Sequence, residues 1–373
     1  MREKDHICTC DLCLQGNYNS EDYYVDMSFL KKERPVGVSG LLRVKNDAGF
    51  LSTCIDSCIN ALDELIICYQ DCTDNAPDII REKQSQYPDK IKVYYYAPLV
   101  YCWGLTDEET KYAFSLPESS LHKLCNYYNY TLSKATYRYA MKIDSDQIYF
   151  TEKLKRFCDA YRREEKVRYT LGNYFVKYYN YYCSWIARES TLFYADLLSQ
   201  IPCFRDFILK QYESYLLKEI TNSKKSLSMS GVNLGYEKGK WGIYFLNKLP
   251  FNGMTDHLIF KITEQTYYTT VTDGTIPIEV MKHGRVLHGG WFWYHLQGMR
   301  ECMAHYQKIW MNFSLMDTSV FCFNSKTHNS ITLLGKLCKR LWVFPFMYEK
   351  QLPAPDELLS GVAENIKKRC KSL

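Results

Sequence analysis

Between Val36 and Asp144 the chain alternates short apolar runs with stripes of helical period, and this alternation limits the possible folds more than any other feature of its 373 residues. Val36-Gly-Val-Ser-Gly-Leu-Leu-Arg-Val44, Glu64-Leu-Ile-Ile-Cys-Tyr69, Ile91-Lys-Val-Tyr-Tyr-Tyr96 and Tyr139-Ala-Met-Lys-Ile143 read as buried strands. After the first run, Phe50, Leu51, Cys54, Ile55, Cys58, Ile59 and Leu62 recur at i, i+3 and i+4, the apolar stripe of a helix packed on a sheet. Asn46 and Asp47 suit its amino-terminal cap, and further helices are expected over 77–87 and 121–135. Strands alternating with helices predict an α/β fold with a mostly parallel sheet and right-handed crossovers. Such sheets bind ligands beyond the carboxyl ends of their strands, where Asn46, Asp71 and Asp144 would gather.

Composition removes several function classes. A net charge of +5 without long basic blocks argues against nucleic acid as a partner. No stretch supplies the ~18 apolar residues of a membrane span, and Met1-Arg-Glu-Lys-Asp-His6 lacks the apolar core of a secretory signal, so a cytoplasmic location is expected. Sixteen cysteines without an export signal then read as reduced thiols filling core space, with Cys54 and Cys58 on a helix face and Cys68 ending a strand. The opening cluster His6-x-Cys8-x-Cys10-x-x-Cys13 is either a zinc site or part of a frayed tail.

Asp144-Ser145-Asp146 closes the fourth strand, where two carboxylates form a natural seat for a divalent cation and the diphosphate it neutralises. Together with Leu42-Arg-Val-Lys-Asn46, the strand-end Asp71 and Lys142-Ile-Asp-Ser-Asp-Gln147, this segment resembles the nucleotide-sugar-binding half of a GT-A-fold glycosyltransferase of the bacterial family 2 type. The resemblance covers about a third of the chain well (roughly one domain half) and implies a Rossmann-like sheet extended by antiparallel strands and a helical C-terminal region. It implies residues 1–34 as an irregular lead, 35–300 as the catalytic domain, divided at 150 into nucleotide-sugar and acceptor halves, and 301–373 as the extension. It assigns Arg43, Asn46, Asp71, Lys142, Asp144, Ser145 and Asp146 to the nucleotide sugar, although Asn46 and Asp71 equally suit helix or turn caps. Mn²⁺ or Mg²⁺ is the implied cofactor, held by Asp144 and Asp146, one directly and the other through water or the ribose, because alternate strand residues face opposite ways.

Downstream, a helix is expected over 152–165, antiparallel strands over 167–179 and 183–194, and a charged helix over 204–220. Related enzymes open a helix beneath the acceptor with an acidic residue that takes the proton of the attacking hydroxyl. In Pro250-Phe-Asn-Gly-Met-Thr-Asp256-His257 the corresponding candidate is Asp256, with Gly253 and His257 beside the acceptor, although the usual Glu-Asp pair is here Thr255-Asp256. A plain cap is the alternative for Asp256. Related enzymes supply a late histidine to the metal or diphosphate; of His283, His288 and His295, His288 precedes Gly289-Gly290 and is the candidate, with a structural role the alternative for each, while Trp291 and Trp293 either stack on an acceptor sugar or belong to the core. The basic, aromatic run 333–346 is either a terminal helix or a peripheral contact with the inner membrane.

The expected activity is transfer of a sugar from a nucleotide-sugar donor to a saccharide or lipid-linked saccharide acceptor, with inversion, in surface polysaccharide synthesis (lipopolysaccharide or capsule). A sugar-nucleotide pyrophosphorylase would need a Gly-rich, Arg-bearing loop after the first strand, which Ser39-Gly-Leu-Leu-Arg-Val-Lys-Asn46 does not supply. A non-enzymatic zinc protein built on Cys8, Cys10 and Cys13 is the alternative from a different class.

Overall fold

A computed structural model describes residues 11–16, 18–102, 105–179, 202–237, 240–243, 251–271, 277–284, 286–299, 353 and 355–362. The chain forms two compact units, one comprising 1–55, 62–145 and 258–285, the other 56–61, 146–257 and 286–373.

The first unit is built on β1 (Val38–Val44), β2 (Glu64–Tyr69), β3 (Ile91–Tyr95) and β4 (Tyr139–Asp144). All pair in parallel in the order β3-β2-β1-β4, with Leu42 opposite Ile67 on one side and Ile143 on the other. Every residue of β1 is buried, as a parallel strand covered on both faces requires. The intervening helices are α1 (Ala48–Cys58), α2 (Ala76–Gln86), α3 (Asp107–Ser115) and α4 (Leu124–Ser133). Leu51, Cys54, Ile55, Cys58 and Ile59 are fully buried, so the apolar stripe of α1 is the face it packs.

Helix α3 lies inside the stretch 97–120, read from sequence as an irregular insertion. A capping box starts it: Thr106 Oγ1 accepts from Glu109 N–H at 3.2 Å while Glu109 Oε2 accepts from Thr106 N–H at 2.8 Å. Residues 1–34 were expected to be irregular with the core beginning at Val36, yet short helical turns occupy Asp11–Gln15, Ser20–Tyr23 and Met27–Lys31, and Cys13, Phe29 and Leu30 are buried. Arg34 anchors this lead by donating to the carbonyls of Phe29, Lys32 and Ala135.

The last residues of β8 (Phe251–Lys261) complete this sheet, Met141 lying opposite Ile259 in an antiparallel pair. No helix opens at Asp256: the run Leu258-Ile-Phe260 is fully buried, and pairing with β4 satisfies its backbone, so the segment is a strand. A two-stranded ribbon, β9 (Tyr268–Thr270) with β10 (Glu279–Met281), packs against α4.

In the second unit β11 (Val286–His295) lies between β5 (Gln147–Tyr149), antiparallel to it, and β6 (Ser226–Glu237), parallel to it; β7 (Lys240–Ile243) pairs with β6. Helices α5 (Thr151–Arg162) and α6 (Pro202–Ser223) pack together. The strand expected over 167–179 is replaced by an irregular turn and a helical stretch at 171–179. Thr170 and Asn173 cap that helix reciprocally, and Phe175 stacks on Tyr179 one turn later at 5.9 Å, so the aromatic spacing is helical. The expected strand 183–194 and the basic run 333–346 lie outside the described residues.

Candidate active site

Because β1 and β4 run in parallel with Arg43 opposite Asp144, two charged side chains meet at the carboxyl edge of the first unit. Arg43 Nη2 donates to Asp144 Oδ1 at 3.0 Å and to the Ile143 carbonyl at 3.2 Å, and Nη1 donates to the Leu41 carbonyl at 3.2 Å. The guanidinium carbon sits 3.6 Å from the centre of the Tyr128 ring. Arg43 is 6% exposed and Asp144 29%, so the arginine is a buried clamp and the carboxylate reaches solvent. Burial by itself would lower the Arg43 pKa, but Tyr128 and Asp144 hold it above its ordinary value, and the guanidinium stays charged.

Lys142 shares a face of β4 with Asp144, two residues on. Expected on the nucleotide, it is instead buried and donates to Glu279 Oε1 at 2.8 Å, with its ammonium 5.1 Å from the Tyr128 ring centre. Arg43 is likewise engaged inside the protein rather than turned to solvent.

The β1–α1 turn is built around Asn46, whose φ of 57° is a left-handed conformation that asparagine tolerates better than most residues. Its Oδ1 accepts from Thr73 N–H at 2.7 Å, and Asp74 accepts from Ala48 N–H at 2.8 Å and Ala76 N–H at 3.0 Å, binding the starts of α1 and α2 together. Ser145, expected at the nucleotide, is buried and donates to the Asp47 carboxylate, fixing the turn after β4. Asp71 is exposed and accepts from Tyr95 Oη; this bond pushes the Tyr95 phenol up to about 12.

In the second unit Asp146 is buried, its Oδ2 3.5 Å from His295 Nε2. His295 Nδ1 meets Asn233 Oδ1 at 2.8 Å, so both ring nitrogens face polar partners. The histidine brought to Asp146 is therefore His295. His288, preferred from sequence for its following glycines, lies at the far end of β11 in register with Ser228, some seven residues and roughly 20 Å along the strand. It is half-buried, which pushes its pKa down, and its carbonyl accepts from Tyr212 Oη at 3.1 Å.

The expected acceptor platform is core. Trp291 and Trp293 are buried; Trp293 packs 5.5 Å from Tyr149 and 5.1 Å from His257 and donates to Asn252 Oδ1 at 2.9 Å. His257 is buried with its Nε2 2.6 Å from Gln147 Nε2, and Tyr149 Oη donates to Gln147 Oε1 at 2.6 Å. Gly253 has a φ of 101°, and a Cβ there would lie 2.5 Å from the Met229 carbonyl, so the glycine permits a close backbone approach. Asp256 lies within β8, with its side chain outside the described residues.

Among the described residues no three His, Cys, Asp or Glu side chains come together as a ready-made metal cage. The donor set fits a cation shared with a substrate diphosphate, since Mg²⁺ is commonly held by one or two carboxylates plus phosphate oxygens. Cys8 and Cys10 lie outside the described residues, and Cys13 Sγ is 3.1 Å from His122 Nε2 in a buried pair. None of the nine described cysteines is joined in a disulfide. A cavity of about 580 Å³ in the first unit lies at the opposite edge of the sheet, lined by Lys32, Glu33, Arg34, Pro35, Arg138, Lys261 and Ile262, away from Asp144.

Residues 13–182, slightly under half of the chain, match the family model of β-1,4-N-acetylgalactosaminyltransferase (CgtA). With its parallel sheet and acidic carboxyl edge, that segment is similar to a glycosyltransferase family, the β-1,4-N-acetylgalactosaminyltransferases. No curated protein matches it. Among solved structures, the S. aureus protein TarS (1–349) is 11% identical, with 90% of this chain and 82% of that chain covered and a TM-score of 0.31. Glucosyl-3-phosphoglycerate synthase from Mycobacterium tuberculosis, solved with Mn²⁺ and uridine diphosphate, is 15% identical, with 51% and 70% covered and a TM-score of 0.24. A mycobacterial protein is 17% identical at a TM-score of 0.20; the match spans 33% of this chain and only 34% of that one. At these scores the structural likenesses decide neither fold nor activity.

Proposed function

We propose that the chain transfers a glycosyl group from a nucleoside-diphosphate sugar to a saccharide acceptor, with a divalent cation shared between Asp144 and the diphosphate. The observation that carries this reading is a solvent-reaching carboxylate held at a parallel-sheet edge by a buried arginine. Arg43 fixes Asp144 Oδ1, so the carboxylate presents itself in one orientation at the strand end. Asp146 belongs to the same motif, and His295 is its neighbour. The nucleoside is assigned to the exposed edge of Asn46 and Asp71. A bound Mn²⁺ or Mg²⁺ supplies positive charge to the departing diphosphate.

In the transfer the acceptor hydroxyl oxygen bonds to the anomeric carbon as the bond to the diphosphate oxygen breaks, and the hydroxyl proton passes to a carboxylate. Asp256 is the residue we assign to that proton, and a single displacement of this kind inverts the anomeric centre. The CgtA match, to a β-1,4-N-acetylgalactosaminyltransferase family, supports transfer of a sugar; we assign the acceptor to the saccharides of the cell surface, soluble or lipid-linked. No described helix is long and apolar enough to cross a membrane. Contact with the inner membrane through 333–346 therefore remains part of the proposal, as does a cytoplasmic site of action.

The test is nucleotide binding by thermal shift and calorimetry, with uridine, guanosine and cytidine nucleotides offered with and without Mn²⁺. One of them is expected to stabilise the protein only when Mn²⁺ is present, and Asp144→Asn is expected to weaken that binding at least tenfold. Equal binding by Asp144→Asn and the parent, or binding indifferent to Mn²⁺, would remove Asp144 from the donor site.

A further inference from the structure

Lys142 and Asp144 lie on one face of one strand, two residues apart, at a backbone separation of roughly 6–7 Å that a lysine stem can span. Both Lys142 and Arg43 lie against the same aromatic ring, at 5.1 and 3.6 Å from the centre of Tyr128. Two buried cations therefore share one wall, and Asp144 is an anion within reach of each. Arg43 takes Asp144, and Lys142 turns to Glu279, which arrives on β10 from more than a hundred residues downstream. Tyr268, on the paired strand β9, closes over Tyr128 with ring centres 4.9 Å apart. The four charges, Arg43, Lys142, Asp144 and Glu279, sum to zero.

We propose that Glu279 is a positioning residue for the donor site: by holding Lys142, it keeps a second cation off Asp144 and leaves that carboxylate able to bind metal and diphosphate. This rests on the reading of Asp144 given above. A buried ammonium without its counter-ion is costly, and a lysine deprived of Glu279 relieves that cost by swinging along the strand face to Asp144. Asp144 would then face two fixed cations and lose its attraction for a third. Glu279 touches neither substrate nor metal in this scheme; it acts through Lys142 alone.

The experiment measures the Mn²⁺ concentration at which uridine diphosphate, or whichever nucleotide binds the parent, is half-bound, beside the melting temperature of each full-length variant. Glu279→Gln is expected to raise the Mn²⁺ midpoint at least tenfold. The double variant Lys142→Met, Glu279→Leu, which removes both charges together, is expected to return it to within threefold of the parent. A merely structural role would instead leave the double variant as weak as the single one, and that result overturns the proposal. An unchanged midpoint in Glu279→Gln overturns it as well. Should Glu279→Gln not fold, Glu279→Asp is read in its place: its shorter carboxylate releases Lys142 in part, and a midpoint raised severalfold supports the proposal while an unchanged one overturns it. If the parent shows no Mn²⁺-dependent nucleotide binding, the donor-site reading falls and this inference falls with it; if the parent binds and only the Glu279 variants fail to shift, this inference alone is refuted.

Discussion

Replacing Arg43 by lysine keeps the charge opposite Asp144 and removes the geometry, so it isolates what the guanidinium contributes. Arg43 makes three hydrogen bonds, to Leu41 O and Ile143 O at 3.2 Å and to Asp144 Oδ1 at 3.0 Å, and lies 3.6 Å over Tyr128. A lysine ammonium can keep the contact with Asp144 but cannot span both carbonyls and stack. The two lost carbonyl bonds cost about 1 kcal/mol each, and the lost planar stack about another 1 kcal/mol in a buried setting. The sum, about 3 kcal/mol, corresponds to roughly a hundredfold change in local opening. The assay is amide hydrogen exchange read by mass spectrometry on peptides from β1 and β4, where Arg43→Lys should lose about two decades of protection. Nucleotide binding should weaken in parallel, because Asp144 loses its fixed orientation. Protection within threefold of the parent in both strands would refute the view that this arginine clamps the strand ends.

Two further outcomes follow from the same physical chemistry. Glu64 is buried and accepts from Ser39 Oγ at 2.6 Å, Thr136 N–H at 2.6 Å, Thr136 Oγ1 at 2.8 Å and Lys92 Nζ at 2.5 Å. Burial, the largest effect, would raise its pKa, but the Lys92 ammonium, the Ser39 hydroxyl and Thr136 together bring it below the ordinary value of 4.5. A depressed carboxylate stabilises the fold above its ordinary pKa, and that stability is lost as pH falls through the folded-state value. Glu64→Gln should therefore cost about 2–4 kcal/mol at neutral pH, and the gap should close below pH ~4; urea midpoints across pH measure it, and a pH-independent gap would contradict the charge argument. Gly253→Ala places a methyl 2.5 Å from the Met229 carbonyl at a φ of 101° and should lower stability by about 3 kcal/mol; an unchanged urea midpoint would refute the close approach of these strands.

Much of the first unit was legible from residue order because its signals are local. The apolar runs of β1, β2, β3 and β4 and the stripe of α1 carry their periods within a dozen residues, and Thr106-Asp-Glu-Glu109 carried a capping signature that sequence reading passed over. The failures share a cause. Val167–Tyr179 has strand-like aromatic content, but its i, i+4 spacing pairs Phe175 with Tyr179 on a helix. The segment around Asp256 resembles a helix opening by analogy alone, whereas the buried Leu258-Ile-Phe260 run needs a ladder partner and finds it in β4. Trp291 and Trp293 have the chemistry of a sugar platform and of a core, and only the strands on either side of β11 decide for the core.

Residue order by itself determined that a parallel sheet forms and that Asp144 ends one of its strands, because periodicity and strand length are properties of neighbours in the chain. It could not determine which charges those strand ends meet. The pairing of Arg43 with Asp144 depends on strand register, that of Lys142 with Glu279 on a ribbon more than a hundred residues away, and that of Asp146 with His295 on strand β11. Each choice is settled by the cost of leaving a buried charge without a partner, a quantity that exists only once the chain is folded.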